Sequence, residues 1–161
     1  MKSENETASL QITSSMKCGG ISAETYNNIE KADSFQDFLE MNKDNMFTLS
    51  LSEYLMELLK EKKLKRSDVI RNSGLDEAYV YEIFSGRKKP SRDKLIAVTF
   101  GLQLNVQETQ RVLKVGGHTE LYPRMERDAA ILLAVRKQKN IFETDEMLFD
   151  NGFPTLLNDA E

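Results

Sequence analysis

The chain has 161 residues, 40% of them hydrophobic, which is enough for one compact domain with a buried core. It contains no run of about 18 apolar residues, so we predict no transmembrane helix. The formal net charge of −4 at pH 7 argues against a protein that coats nucleic acid with its whole surface. The first residues lack the apolar segment of a secretory signal, and Cys18 is the single cysteine. We therefore expect a cytoplasmic protein with one unpaired surface thiol.

The N-terminal segment is polar and acidic, with four basic and eight acidic residues in positions 1–48. Scattered single hydrophobic residues cannot form a core, so we predict a disordered acidic tail over residues 1–46. One short amphipathic helix is predicted at 34–41, where three apolar residues follow helical spacing: Phe35, Phe38 and Leu39.

Three helices are predicted next. The first begins at Ser50, because Glu53 three residues later completes a capping box, and a leucine stripe follows. The second runs from about Ser67 to Ser73, with Ser67 as its N-cap and Gly74 as its stop. The third runs from about Glu77 to Ser85, with an aspartate as N-cap and a glycine as stop: Asp76 and Gly86.

Two further helices complete this region. The fourth follows Ser91 and directs an apolar face inward, formed by Leu95, Ile96, Thr99 and Phe100. The fifth begins at Asn105 and ends at the glycine pair 116–117. No segment shows the alternating pattern of a β-strand, so the predicted fold class is all-α.

Residues 92–121 match residues 127–156 at a constant offset of 35 positions. Both copies carry an Asn-x-x-Glu capping signal, at Asn105 and Asn140, and a closing glycine. The sequence therefore predicts a two-helix hairpin used twice. The second copy either enlarges the core by packing on the first or forms a dimer or partner surface. The identical pairs include Arg92/Arg127, Asp93/Asp128, Ile96/Ile131, Asn105/Asn140, Glu108/Glu143, Thr109/Thr144, Leu113/Leu148, Gly117/Gly152 and Leu121/Leu156.

Positive charge is concentrated in one part of this acidic chain. Residues 60–94 hold eleven basic and six acidic residues, a local balance of +5. A basic region on an otherwise acidic protein is typical of a nucleic-acid contact surface. The region coincides with the second and third predicted helices and the basic turn after them.

Residues of about 51–103 resemble the Xre or lambda-repressor-like helix-turn-helix domain of bacterial and phage regulators. The resemblance rests on apolar and turn residues in the family's spacing: Leu64, Val69, Gly74, Leu75, Val80, Ile83, Gly86, Pro90 and Leu95. It implies a five-helix domain at 47–117 with a duplicated helical hairpin appended at 118–161. The sequence departs from the family pattern at Arg66, where glutamine is usual, and at Phe84, where an acid is common.

The resemblance also implies which residues would meet DNA. The start and one face of the third predicted helix would reach base edges, which gives the candidates Asp76, Glu77, Ala78, Tyr81 and Glu82. The start of the second helix and the turn after the third would meet phosphates, which gives Arg66, Ser67, Arg87, Lys88 and Lys89. Helix N-termini, lysine and arginine are suitable phosphate partners.

We therefore expect sequence-specific binding to double-stranded DNA and a role in transcriptional regulation. The expected partners are DNA and a second copy of the chain. Because the base-contacting face carries three acids and no base, a second hypothesis stays open. In that hypothesis the domain is an antitoxin-like or adaptor module that binds a protein partner, with the N-terminal tail or the C-terminal hairpin as further contact surfaces.

No pattern indicates an enzyme. His118 is the sole histidine, follows the fifth predicted helix, and has no companion for a metal site or for a nucleophile. Phosphate-binding glycine motifs are also absent from the sequence. We expect neither a cofactor nor a metal ion.

Overall fold

The computed structural model describes residues 23–46 and 48–159. All regular secondary structure in these residues is α-helical, which confirms the predicted all-α fold class. None of the helices in this part of the chain is long and apolar enough to cross a membrane. Cys18 and the first 22 residues of the predicted tail lie outside the described residues.

The chain divides into two compact units, one up to Thr48 and one from Leu49. The described part of the first unit holds helices α1 (Ala23–Lys31) and α2 (Phe35–Met41). The side-chain amide of Asn28 donates from Nδ2 to Asn42 Oδ1 at 3.0 Å, and this bond links α1 to the C-cap of α2. α2 occupies the position of the predicted short helix. α1 was not predicted, so the expectation of disorder does not hold there; its isolated apolar residues gave no periodic signal.

The described part of the second unit, residues 49–159, contains seven helices. The caps predicted at Ser50, Asp76, Asn105 and Asn140 are all present. The predicted N-cap at Ser67 is wrong, because the helix begins at Arg66 and its N-cap is Lys65. The Lys65 amide donates to the Asp68 carboxylate at 2.8 Å, and this bond lowers the pKa of Asp68. The helices are α3 (Leu51–Glu61), α4 (Arg66–Ser73), α5 (Glu77–Phe84), α6 (Arg92–Gly101), α7 (Val106–Val115), α8 (Glu126–Arg136) and α9 (Ile141–Asp150).

α6 is the central helix of the second unit, and every residue from Leu95 to Gly101 is buried. It packs against α4, α7 and α9. A Cβ added at Gly101 would lie 2.8 Å from the carbonyl oxygen of Val69, so a side chain here would force α4 and α6 apart. The predicted inward face of α6 is buried. Ala97 and Val98, which were not part of that face, are buried as well, because neighbouring helices cover α6 on several sides.

The turn between α4 and α5 depends on Gly74. Its φ of +68° lies in the left-handed region, which a residue with a Cβ rarely adopts. An added Cβ would also lie 2.7 Å from Leu157 Cδ1 and 3.3 Å from Phe142 Cε1. The second hairpin therefore packs directly on the turn that joins α4 to α5.

The two copies of the repeat form two hairpins, α6–α7 and α8–α9, with matching local geometry. Each bend contains a glutamine in the left-handed region, Gln103 with φ +55° and Gln138 with φ +56°. Each closes on a leucine amide that donates to a helix side chain, Leu121 to Gln110 and Leu156 to Asp145. Leu121 and Leu156 are 35 positions apart, and so are Gln110 and Asp145.

Two crossed ion pairs join the hairpins. Arg92 binds Asp128 through two bonds of 3.0 and 2.8 Å. Arg127 binds Asp93 through two bonds of 3.0 Å. Since the arginine of each copy meets the aspartate of the other, the contact is isologous, and the hairpins are related by an approximate internal two-fold axis. α6 packs on α9 and α7 on α8, as that symmetry requires.

We predict that Asp128→Asn lowers the free energy of unfolding by about 2–3 kcal/mol at pH 7, since it removes charge-assisted bonds at a largely buried site. Burial alone raises the pKa of Asp128, but the bonds from Arg92 and from the Tyr122 amide outweigh it and hold the pKa below its usual value. The stabilisation is therefore present above an unfolded-state pKa of about 3.9 and is lost as pH falls through the lower, folded-state pKa.

Urea unfolding of both proteins between pH 7 and pH 3 measures this difference. The deficit of the variant should be constant near neutrality and shrink in acid. Glu146→Gln, at an exposed position of α9, is the matched control and should be nearly neutral. A deficit of the same size at pH 3 and pH 7 would show that packing, rather than charge, explains the loss.

Candidate nucleic-acid interface

α5 separates an inner apolar face from an outer polar one. Val80, Ile83 and Phe84 are buried on the inner side, the last with only 3% exposure. Phe84 is thus a core residue of the unit. The five residues predicted to meet base edges are all exposed: Asp76, Glu77, Ala78, Tyr81 and Glu82.

The start of α5 is fixed by one of those five residues. Asp76 is the N-cap, and its carboxylate accepts the Ala78 amide at 3.1 Å. This bond satisfies an amide that the first helical turn leaves without a partner. The carboxylate is thereby partly committed to the helix, while Glu77 and Glu82 stay exposed to any partner of this face.

Arg66 connects the start of α4 to the outer face of α5. Its guanidinium carbon lies 5.3 Å from the centroid of the Tyr81 ring, a cation–π distance. Its Nη2 lies 3.7 Å from Met56 Sδ. These contacts restrain a planar, permanently charged group beside the candidate base-contacting residues. Ser67, the next residue, is exposed in the first turn of α4.

The basic turn after α5 is held in place by several bonds. The amides of Arg87 and Lys88 both donate to the Glu82 carbonyl, at 3.0 and 3.2 Å. The Lys88 ammonium lies 4.7 Å from the centroid of the Tyr79 ring. Arg87, Lys88 and Lys89 are all exposed. Three cations therefore lie on a restrained turn that follows the C-terminal end of α5.

His118 braces the same turn from a distance in sequence. Its Nε2 lies 2.9 Å from the carbonyl oxygen of Pro90, an acceptor, so Nε2 carries the donated hydrogen. The sequence offered no role for this half-buried histidine beyond its place after the fifth predicted helix. Nothing in the sequence signals a contact across 28 positions, whereas Tyr79, also missed as a site residue, stands close to the lysines in sequence.

The structure thus brings the predicted residues together on adjacent elements. The base-contact candidates lie at the start and outer face of α5, Arg66 meets them through Tyr81, and the basic turn is tied to Glu82. Comparison with protein-family models, with curated proteins and with solved structures gives no match for this chain. Its function is therefore argued from this geometry.

Proposed function

We propose that this protein binds double-stranded DNA in a sequence-specific manner and regulates transcription in the cytoplasm of its cell. The observation that carries the proposal is the exposed face of α5, with a stacked arginine beside it and a restrained basic turn at its end. α5 would enter the major groove, which admits one α-helix.

The proposed contacts divide into two kinds. Phosphates would meet the basic turn, Arg66, and the first turn of α4 at Ser67, since cations and helix N-termini both favour anions. Base edges would meet Glu77 and Glu82, which accept from the amino group of cytosine, and Tyr81, which packs on thymine methyl groups. Phosphate contacts would supply affinity, and the carboxylates would supply selection.

Replacing Arg87, Lys88 and Lys89 together by alanine should weaken binding to all DNA sequences alike, because phosphate contacts carry no sequence information. The slope of log K against log salt should become shallower by about 2.7, at roughly 0.9 per lost contact. Fluorescence anisotropy with a labelled duplex at several salt concentrations measures both effects.

The matched control removes the same charge elsewhere, through alanine at three exposed positions outside the basic region 60–94: Lys43, Arg124 and Lys137. It should leave the slope close to that of the unchanged protein. Equal slopes for all three proteins would contradict the assignment of the basic turn to phosphate.

Selection from a random duplex library with the purified protein should recover one sequence motif. Glu82→Ala should relax that motif at one position, by about 1–3 kcal/mol of lost discrimination. Tyr81→Phe keeps the ring over Arg66 and should preserve the motif better than Tyr81→Ala does. A motif unchanged in every variant would show that α5 does not read bases.

We infer that the DNA-binding form is a homodimer that uses the outer side of the second hairpin. The internal symmetry supports this inference, because Val98 of α6 is fully buried whereas its counterpart Leu133 of α8 is 46% exposed. Phe149 on α9 is 74% exposed. Two half-sites would then lie about 34 Å apart.

Sedimentation equilibrium should therefore give a dimer mass, and Leu133→Glu or Phe149→Glu should shift it towards the monomer. Phe35→Glu, a matched change at an exposed aromatic residue of the first unit, should leave the mass unaltered. A monomer mass with and without DNA would rule out the dimer and leave the single module as the binding species.

The exposed acidic face of α5 favours a second candidate function, the binding of a basic protein partner. Glu77, Glu82 and Tyr81 form a surface that suits an arginine-rich or lysine-rich segment. The library selection separates the two functions. Absence of any enriched sequence, with protein shown to be helical by circular dichroism, would favour the protein partner.

A further inference from the structure

A groove of about 890 Å³ lies where α4, the α6–α7 bend and the α8–α9 bend meet. Equivalent residues of both repeat copies line it, among them Gln103 with Gln138 and Asn105 with Asn140. The volume falls in the range of small-molecule sites, roughly 300–1,000 Å³. The groove lies on different residues from the candidate DNA interface.

The groove lining combines an apolar floor with positive charge. Its apolar members are Phe100, Leu104, Val106, Val135 and Phe142. Three cations line it, Arg71, Arg136 and Lys139, and no aspartate or glutamate does. This lining is unusual in a chain of net charge −4.

The three cations are not equivalent. Arg71 is committed to Asp68, to which it donates at 2.8 Å. Arg136 and Lys139 form no ion pair within residues 23–46 and 48–159. These two exposed cations are therefore the groups with capacity to bind an anion.

Two further features distinguish the wall and rim of this groove. Thr109 lies in its wall with 1% exposure, and its Oγ1 has no hydrogen-bond partner among the described residues. The equivalent Thr144 instead donates to Asn140 O at 2.8 Å. A buried hydroxyl without a partner is uncommon in folded proteins. At the rim, the Phe142 ring is 57% exposed beside the apolar floor.

We propose that this groove binds a small organic anion with an aromatic or apolar body. The carboxylate or sulfonate of such a ligand would meet Arg136 and Lys139, and its apolar part would cover Phe100 and Val135 under the Phe142 ring. Charge complementarity selects the anion, because a neutral apolar ligand would leave both cations without a partner.

The test uses two probes of one shape, 2-naphthoate and the uncharged 2-naphthamide, titrated into the full ¹⁵N-labelled chain. Naphthoate should shift the amide signals of the two bends, at 102–105 and 137–140, and should bind at least about tenfold more tightly than naphthamide. Arg136→Gln with Lys139→Gln should remove that preference while naphthamide binding stays unchanged.

Arg124→Gln with Lys137→Gln removes the same charge from exposed positions that do not line the groove, and should preserve the preference. Phe142→Ala should weaken both probes, since it removes the apolar rim. Equal affinity for both probes, signal shifts confined to other regions, or no binding up to about 5 mM would each overturn the proposal. The titration contains no DNA, so its result is independent of the proposed function.

Discussion

The crossed pairs between Arg92 and Asp128 and between Arg127 and Asp93 are the interaction on which the second unit depends. Each arginine forms two bonds to a carboxylate, and its Nε donates to a carbonyl of the loop after a hairpin, Thr119 for Arg92 and Pro154 for Arg127. Those two carbonyls are also 35 positions apart. A substitution in one copy would therefore leave a partly buried charge in the other without its partner, which is strongly destabilising.

The two-fold relation makes the asymmetry of the unit informative. α4 packs on α6 and α3 packs on α7, whereas in the described residues no helix outside the hairpins packs comparably on α8 or α9. The position that decides this is Gly101, whose missing side chain lets α4 approach α6. The equivalent residue in α8 is Arg136, which carries a long side chain and lines the groove. One substitution between copies thus separates a helix-packing face from a charged surface.

Local signals in the sequence were sufficient for much of this fold. Capping boxes at Ser50, Asn105 and Asn140 marked helix starts because they involve residues three positions apart. Ser67 misled, because serine is a common cap, whereas Asp68 fixes the true start through the Lys65 amide. α1 carried no periodic signal and was missed. The crossed ion pairs of Arg92 and Arg127 could not be predicted without knowing how the two copies pack, although both copies visibly carry the same Arg-Asp dipeptide.

The candidate interface shows the same division. Exposure of the outer face of α5 followed from the apolar spacing of Val80 and Ile83, so the residues on it could be predicted. The stacking of Arg66 on Tyr81 could not, since it depends on the angle at which α4 meets α5. The brace from His118 to Pro90 also depends on tertiary packing, because it joins segments 28 positions apart.

The acids on α5 bear on how such a face could be selective. A carboxylate brought near phosphates or a base-edge acceptor costs free energy, because it loses water and gains repulsion. Glu77 and Glu82 would therefore penalise most DNA sequences and accept those that place a cytosine amino group opposite them. Discrimination that works by excluding wrong partners needs a separate source of affinity. If α5 binds DNA as proposed, the restrained cations of Arg66 and the basic turn would supply that affinity, and the acids would supply the selection.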